Sequence, residues 1–126
     1  MSRKKIVITL ALCVFVLMSH ACQSLKLDFK TLYKDDTIDP YRSPREGILE
    51  TVWENSSTLV LRAYIITHCA GAQITGSYEI KDNILTAYYS IRIGNEYSKS
   101  DCAHIVVYRI EHLEQKEYVI GLQQKK

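Results

Sequence analysis

Two cysteines, Cys69 and Cys102, bracket the stretch that most limits how this 126-residue chain can fold. Just inside the first of them, Ile74, Gly76, Tyr78 and Ile80 alternate with Gln73, Thr75, Ser77, Glu79 and Lys81. A period of two places the first set on one face of a β-strand and the second on the other, one for a core and one for water. Lys81-Asp82-Asn83 has turn chemistry, and Ile84 to Ile93 returns as a second strand. Joined, the two cysteines would tie the first half of a small β domain to the last. Closing a loop of 33 residues stabilises by roughly 3–4 kcal/mol on chain-entropy grounds. For a domain this small, that is a large share of the total.

The rest of the C-terminal part repeats the pattern. Ile48 to Glu54 reads as a strand, Asn55-Ser56-Ser57 as a turn, and Leu59 to His68 as a strand with Leu59, Leu61, Ala63 and Ile65 on one face. Cys102 to Glu111 opposes Cys102, His104, Val106, Tyr108 and Ile110 to Ala103, Ile105, Val107 and Arg109. Glu114-Gln115-Lys116 reads as a further turn, and Tyr118, Ile120 and Leu122 belong to a last strand. Six short strands with short connections and no helix between them predict an all-β domain over residues 48–126. The expected form is a six-stranded antiparallel meander that closes into a small barrel or folds into a two-layer sandwich.

The N-terminus carries an address. Met1-Ser-Arg-Lys-Lys is basic, and Ile6 to Met18 is apolar apart from Thr9. Such a run is shorter than the roughly 20 residues that span a bilayer, and it suits an export signal over residues 1–21. Ser19-His20-Ala21-Cys22 resembles a bacterial lipobox, in which the last Cys is acylated after cleavage. Acylation of Cys22 leaves Cys69 and Cys102 as the one pair in the mature chain. Ser19 and Ala21 also satisfy ordinary signal peptidase, so a secreted form is the alternative. Residues 22–47 are polar and punctuated by Asp39-Pro40, Ser43-Pro44 and Gly47, and they read as a lipidated N-terminus and a flexible tether. Leu25, Phe29 and Leu32 have the spacing of a short amphipathic turn that could dock on the domain.

Charge narrows the partners. The 16 basic residues exceed the 14 acidic ones, but Arg3, Lys4 and Lys5 fall in the signal. Without them 13 basic residues face 14 acidic ones, a net −1, and no basic stripe is left for nucleic acid. An exported Cys69–Cys102 pair reads as a structural disulfide. A Cys2His2 metal set with His68 and His104 meets an obstacle, because adjacent strand residues such as His68 and Cys69 point to opposite faces. Asp101 beside Cys102, with His104 two further on, suggests an acid–base pair, but no nucleophile elbow, phosphate loop or paired catalytic carboxylates accompany it. No catalytic residue, metal or cofactor is therefore expected. Tyr88, Tyr89 and Tyr97 are the candidate contacts for a protein or glycan partner, and the polar loop from Gly94 to Asp101 is the place to look for function.

Gly76-x-Tyr78-x-Ile80-x-x-Asn83-x-Leu85 resembles the central hairpin of small β-rich envelope lipoproteins of the Bacteroidota type. Cys102, Tyr108-x-Ile110, Leu113 and Lys116-x-Tyr118-x-Ile120 are similar too. The resemblance implies a lipid-anchored protein of the cell envelope, at the outer membrane and facing the periplasm. It brings no catalytic residue. The expected function is a non-enzymatic binding module, with immunity against or inhibition of an envelope-targeting toxin or hydrolase as a specific form. A structural or accessory lipoprotein of an outer-membrane assembly is the alternative.

Overall fold

A computed structural model describes residues 26–126. The expected signal over 1–21 and the acylation candidate Cys22 lie outside the described residues. Seven strands follow in order: β1 (Lys26–Lys34), β2 (Glu46–Asn55), β3 (Thr58–His68), β4 (Ala72–Lys81), β5 (Ile84–Ile93), β6 (Asp101–Glu111) and β7 (Val119–Gln124). They form two sheets, ordered β1-β6-β3-β2 and β4-β5-β7. The two do not close into a barrel; they pack face to face.

Strand periodicity builds the core between them. Leu61, Ala63 and Ile65 of β3 and Val106 and Tyr108 of β6 face Ile74 of β4 and Ala87 and Tyr89 of β5 in one buried cluster. Leu59, Ile110, Leu85 and Leu113 continue it towards one end. Two polar bridges cross from sheet to sheet inside this layer. The Tyr108 hydroxyl donates to the Tyr88 carbonyl (2.7 Å), and the Tyr89 hydroxyl donates to the Glu46 carboxylate. Both close off groups that would otherwise be buried without partners. The turns form where their residues predict. The Asn55 side chain accepts from the Ser57 N–H (2.9 Å), and Asp82 takes a positive φ of 59° at the tip of the β4–β5 hairpin.

Three expectations are corrected. First, from Lys26 on, the expected tether belongs to the fold. Strand β1 pairs antiparallel with β6 from Lys26↔Glu111 to Lys34↔His104. Leu27 and Phe29 alternate inward, and Phe29 meets the Tyr108 ring edge-on with centroids 4.8 Å apart. The Phe29 ring lies where a Cβ on Gly76 would stand, so that glycine makes room for it. Leu25 lies outside the described residues, and the helical spacing of Phe29 and Leu32 loses to this two-residue alternation, because β6 offers β1 a ladder of hydrogen bonds that an isolated turn lacks.

Second, the strands are not a meander. Only β2–β3 and β4–β5 are hairpins of sequence neighbours, and β1 and β3 flank β6. Third, β7 runs parallel to β5, from Ile84↔Val119 to Tyr89↔Gln124. A parallel pair needs a crossover, which the sequence reading assigned only to helices. Here β6, lying in the opposite sheet, is the crossover: the chain leaves β5, crosses to the first sheet and returns as β7.

Candidate functional site: the disulfide end of the sandwich

β3 ends and β6 begins at the same end of the first sheet, with His68 opposite Asp101. Just beyond, Cys69 and Cys102 are joined, with Cα atoms 4.8 Å apart. Both lie on the core-facing parity of their strands, so the bond caps the inner layer and locks two neighbouring strands. Three segments converge on this cap. The Cys69 N–H donates to the Ser100 carbonyl (2.9 Å), Ala70 donates to Ser98 Oγ (3.0 Å), and Ser98 returns a bond to the Ala70 carbonyl (3.1 Å). Gly94 donates to the Gly71 carbonyl (2.8 Å). Gly71 has a φ of +87°, and a side chain there would meet the backbone of Glu96 and Tyr97, so only glycine fits the contact. The Gly94–Asp101 loop is thereby pinned to the β3–β4 turn along its length.

The third segment is 35–45, the remainder of the expected tether. Asp35 donates from its N–H to the Ala103 carbonyl (2.8 Å), and Ile66 to the Arg45 carbonyl (2.9 Å), so both ends continue the strand ladders of the first sheet and the segment between them crosses its outer face. Ile38 covers a small apolar cluster there of Tyr64, Ile66, Ala103 and Ile105. Its turns are made by aspartates: Asp35 accepts from the Thr37 N–H (2.9 Å) and Asp39 from the Tyr41 N–H (2.9 Å). The Thr37 bonds also hold the Asp35 carboxyl below its usual range.

Asp101 is the hub. Its carboxylate lies 3.1 Å from the Arg45 guanidinium and 3.8 Å from His68 Nδ1, and its N–H donates to the Tyr41 hydroxyl (3.0 Å). The Tyr97 ring stacks on His68 with centroids 4.6 Å apart. An open hollow of about 230 Å³ lies beside this group, bordered by Asp35, Ile38, Pro40 and Asp101. Tyr41 and Tyr97 project on this end, 68% and 49% exposed, although the first has its hydroxyl tied and the second its ring stacked. Aromatic surface held in place by bonds already made suits recognition at low ordering cost.

The sequence-predicted residues separate. Cys69 and Cys102 are bonded to each other, which removes the Cys2His2 set. His104 is buried between the sheets and donates from Nε2 to the His68 carbonyl (2.9 Å), so Asp101 faces His68 and not His104. Among the described residues no group of three or more His, Cys, Asp or Glu is placed to hold a metal ion. Tyr97 belongs to the disulfide end. Tyr88 stands apart on the outer face of the second sheet, its hydroxyl donating to Glu79 (3.0 Å) and the Lys125 ammonium 5.0 Å from its ring centre.

Tyr89 is a correction. It is 3% exposed, and burial together with its bond to Glu46 raises the phenol well above its ordinary range. It cannot meet a partner. Its parity was readable, since Tyr89 shares a face with Leu85, Ala87 and Ile91, and Tyr88 with Thr86 and Ser90. Tyr41 and Arg45 escaped the sequence reading because they lie in a stretch taken for spacer. No family model, curated protein or solved structure matches the chain.

Proposed function

We propose that the chain is a non-enzymatic binding module of a bacterial cell envelope, anchored through an acylated Cys22, which engages a protein partner with its disulfide end. Blocking an envelope-targeting toxin or hydrolase is the form of this role that a rigid, tethered domain serves best. The observation that carries the reading is the pair of exposed, pinned tyrosines at the Asp101–Arg45 ion pair, Tyr41 bonded to the Asp101 N–H and Tyr97 stacked on His68. Exposed aromatics beside an arginine are the residues that dominate interface energetics. The arrangement of strands supports the same end. Lys26 opens β1 opposite Glu111, far from the disulfide, so an anchor just ahead of it leaves the tyrosine end outward.

A photo-crosslinking phenylalanine analogue placed at Tyr97 in the membrane-anchored protein tests this. It should capture one discrete protein, and Tyr41→Ala should reduce the yield by about tenfold or more, the effect of losing a central aromatic anchor. The same analogue at Tyr88 should capture nothing. Equal capture at both positions, or at neither, overturns the assignment.

A further inference from the structure

We infer that the end of the sandwich opposite the disulfide is a lipid-docking face, with Ile84 and Val119 as its apolar contacts. The inference rests on the reading of Cys22 as an acylated anchor and adds an orientation to it. Ile84 and Val119 are direct partners in the parallel β5–β7 pair, and they are 48% and 62% exposed on the outer side of the second sheet. They are the first residues of their strands, as Lys26 is of β1. The next residue along each strand, Leu27, Leu85 and Ile120, belongs to one apolar cluster around Leu59, Ile110 and Leu113. Lys26, Ile84 and Val119 therefore open onto the same end.

The distance to the anchor is short. Cys22 precedes Lys26 by four positions, and four extended residues reach at most about 14 Å. An acyl group there holds this end against the bilayer, but a single point of attachment does not by itself fix how the domain stands on the surface. Two large aliphatic side chains beside the anchor select one pose, with the strands standing on the surface. Apolar contacts of this kind settle roughly 5–10 Å into the boundary between headgroups and acyl chains. Lys81, opposite Ile84, and Lys116, which lies over the Tyr118 ring, have long stems that can rise to the headgroups. Asp82, Glu114 and Glu117 stand among them and balance Lys26, Lys81 and Lys116, so the face has no cationic excess and needs no anionic lipid. Docking this way turns Tyr41 and Tyr97 away from the membrane.

Trp53 is the chain's single tryptophan; it pairs with Leu59 at this end and gives a native probe. The full-length protein is purified from membranes, its acylation read by mass, and reconstituted in phosphatidylcholine vesicles with or without a lipid carrying a spin label near the headgroup. Trp53 emission should be quenched by the labelled lipid. Ile84→Asp combined with Val119→Asp should cut that quenching to roughly half or less, since both contacts become charged. Ile93→Asp, at the opposite end of β5, should leave it unchanged. An acylated wild type that is not quenched, or a double variant quenched as fully as wild type, overturns the docking face alone. A chain recovered without acyl groups overturns the anchor, and the docking face with it.

Discussion

Truncating Phe29 to Ala tests whether the first described strand holds the domain together or merely hangs from it. The ring is partly buried, fills the space above Gly76 and packs edge-on against the fully buried Tyr108. Removing it forfeits about 2 kcal/mol of apolar burial and about 1 kcal/mol from the aromatic pair. Gly76 has no side chain with which to refill the gap, so relaxation recovers little. The expected loss is therefore about 3 kcal/mol, or a fall in Tm of roughly 10–20 °C for a domain near 100 residues. Urea unfolding followed by Trp53 fluorescence measures it. A second substitution sharpens the result. Gly76→Ala alone should destabilise, because its new methyl collides with the Phe29 ring, and should be nearly neutral once Phe29 is Ala. Additive effects, or a Phe29→Ala loss below about 0.5 kcal/mol, the size of an ordinary surface change, would refute β1 as part of the core.

Three further outcomes follow from the described geometry. Replacing Cys69 and Cys102 by Ser should lower stability by about 3–4 kcal/mol for the 33-residue loop, and the unreduced wild type should weigh two hydrogens less than the reduced form. Alkali should destabilise the domain: Tyr89 and Tyr108 hold their protons well past the ordinary value of 10.0 in the fold, so above it the unfolded chain ionises first and stability declines as pH rises. Tyr89→Phe should make that alkaline decline shallower in pH-dependent denaturation, and should cost about 1–2 kcal/mol at neutral pH by leaving the Glu46 carboxylate without its donor. Gly71→Ala should cost about 2 kcal/mol or more through the positive φ and the collision with Glu96 and Tyr97, seen as a lowered Tm with chemical-shift changes centred on the Gly94–Asp101 loop.

Where neighbouring residues decide a structure, it was readable in the chain. The alternation through Gln73–Lys81 names the buried face of β4, Lys81-Asp82-Asn83 places the hairpin, and the two lone cysteines of the C-terminal part identify each other. β1 was hidden because only Leu27 and Phe29 carry its inward pattern, and Pro40 and Pro44 soon afterwards suggest irregular chain. What makes it a strand is β6, some 80 residues away, and no local preference reports that. The same holds for β7. Its alternation says that Ile120 and Leu122 are buried, but not that the chain must cross between layers to bury them against β5. At the candidate site, Asp101 was noticed for its neighbour His104, yet its partners Arg45 and Tyr41 come from a different segment. Tertiary pairing selected them.

The pairing of β1 with β6 also governs when this protein can fold. Lys26 and Glu111 are register partners 85 positions apart. A chain that emerges from a ribosome or a membrane pore N-terminus first exposes β1 long before its neighbour exists. The first sheet can be completed only when β6 is out. Pairings so distant in sequence make folding slow, on the order of milliseconds to seconds. The topology thus delays its own closure and keeps the nascent chain threadable until β6 has emerged.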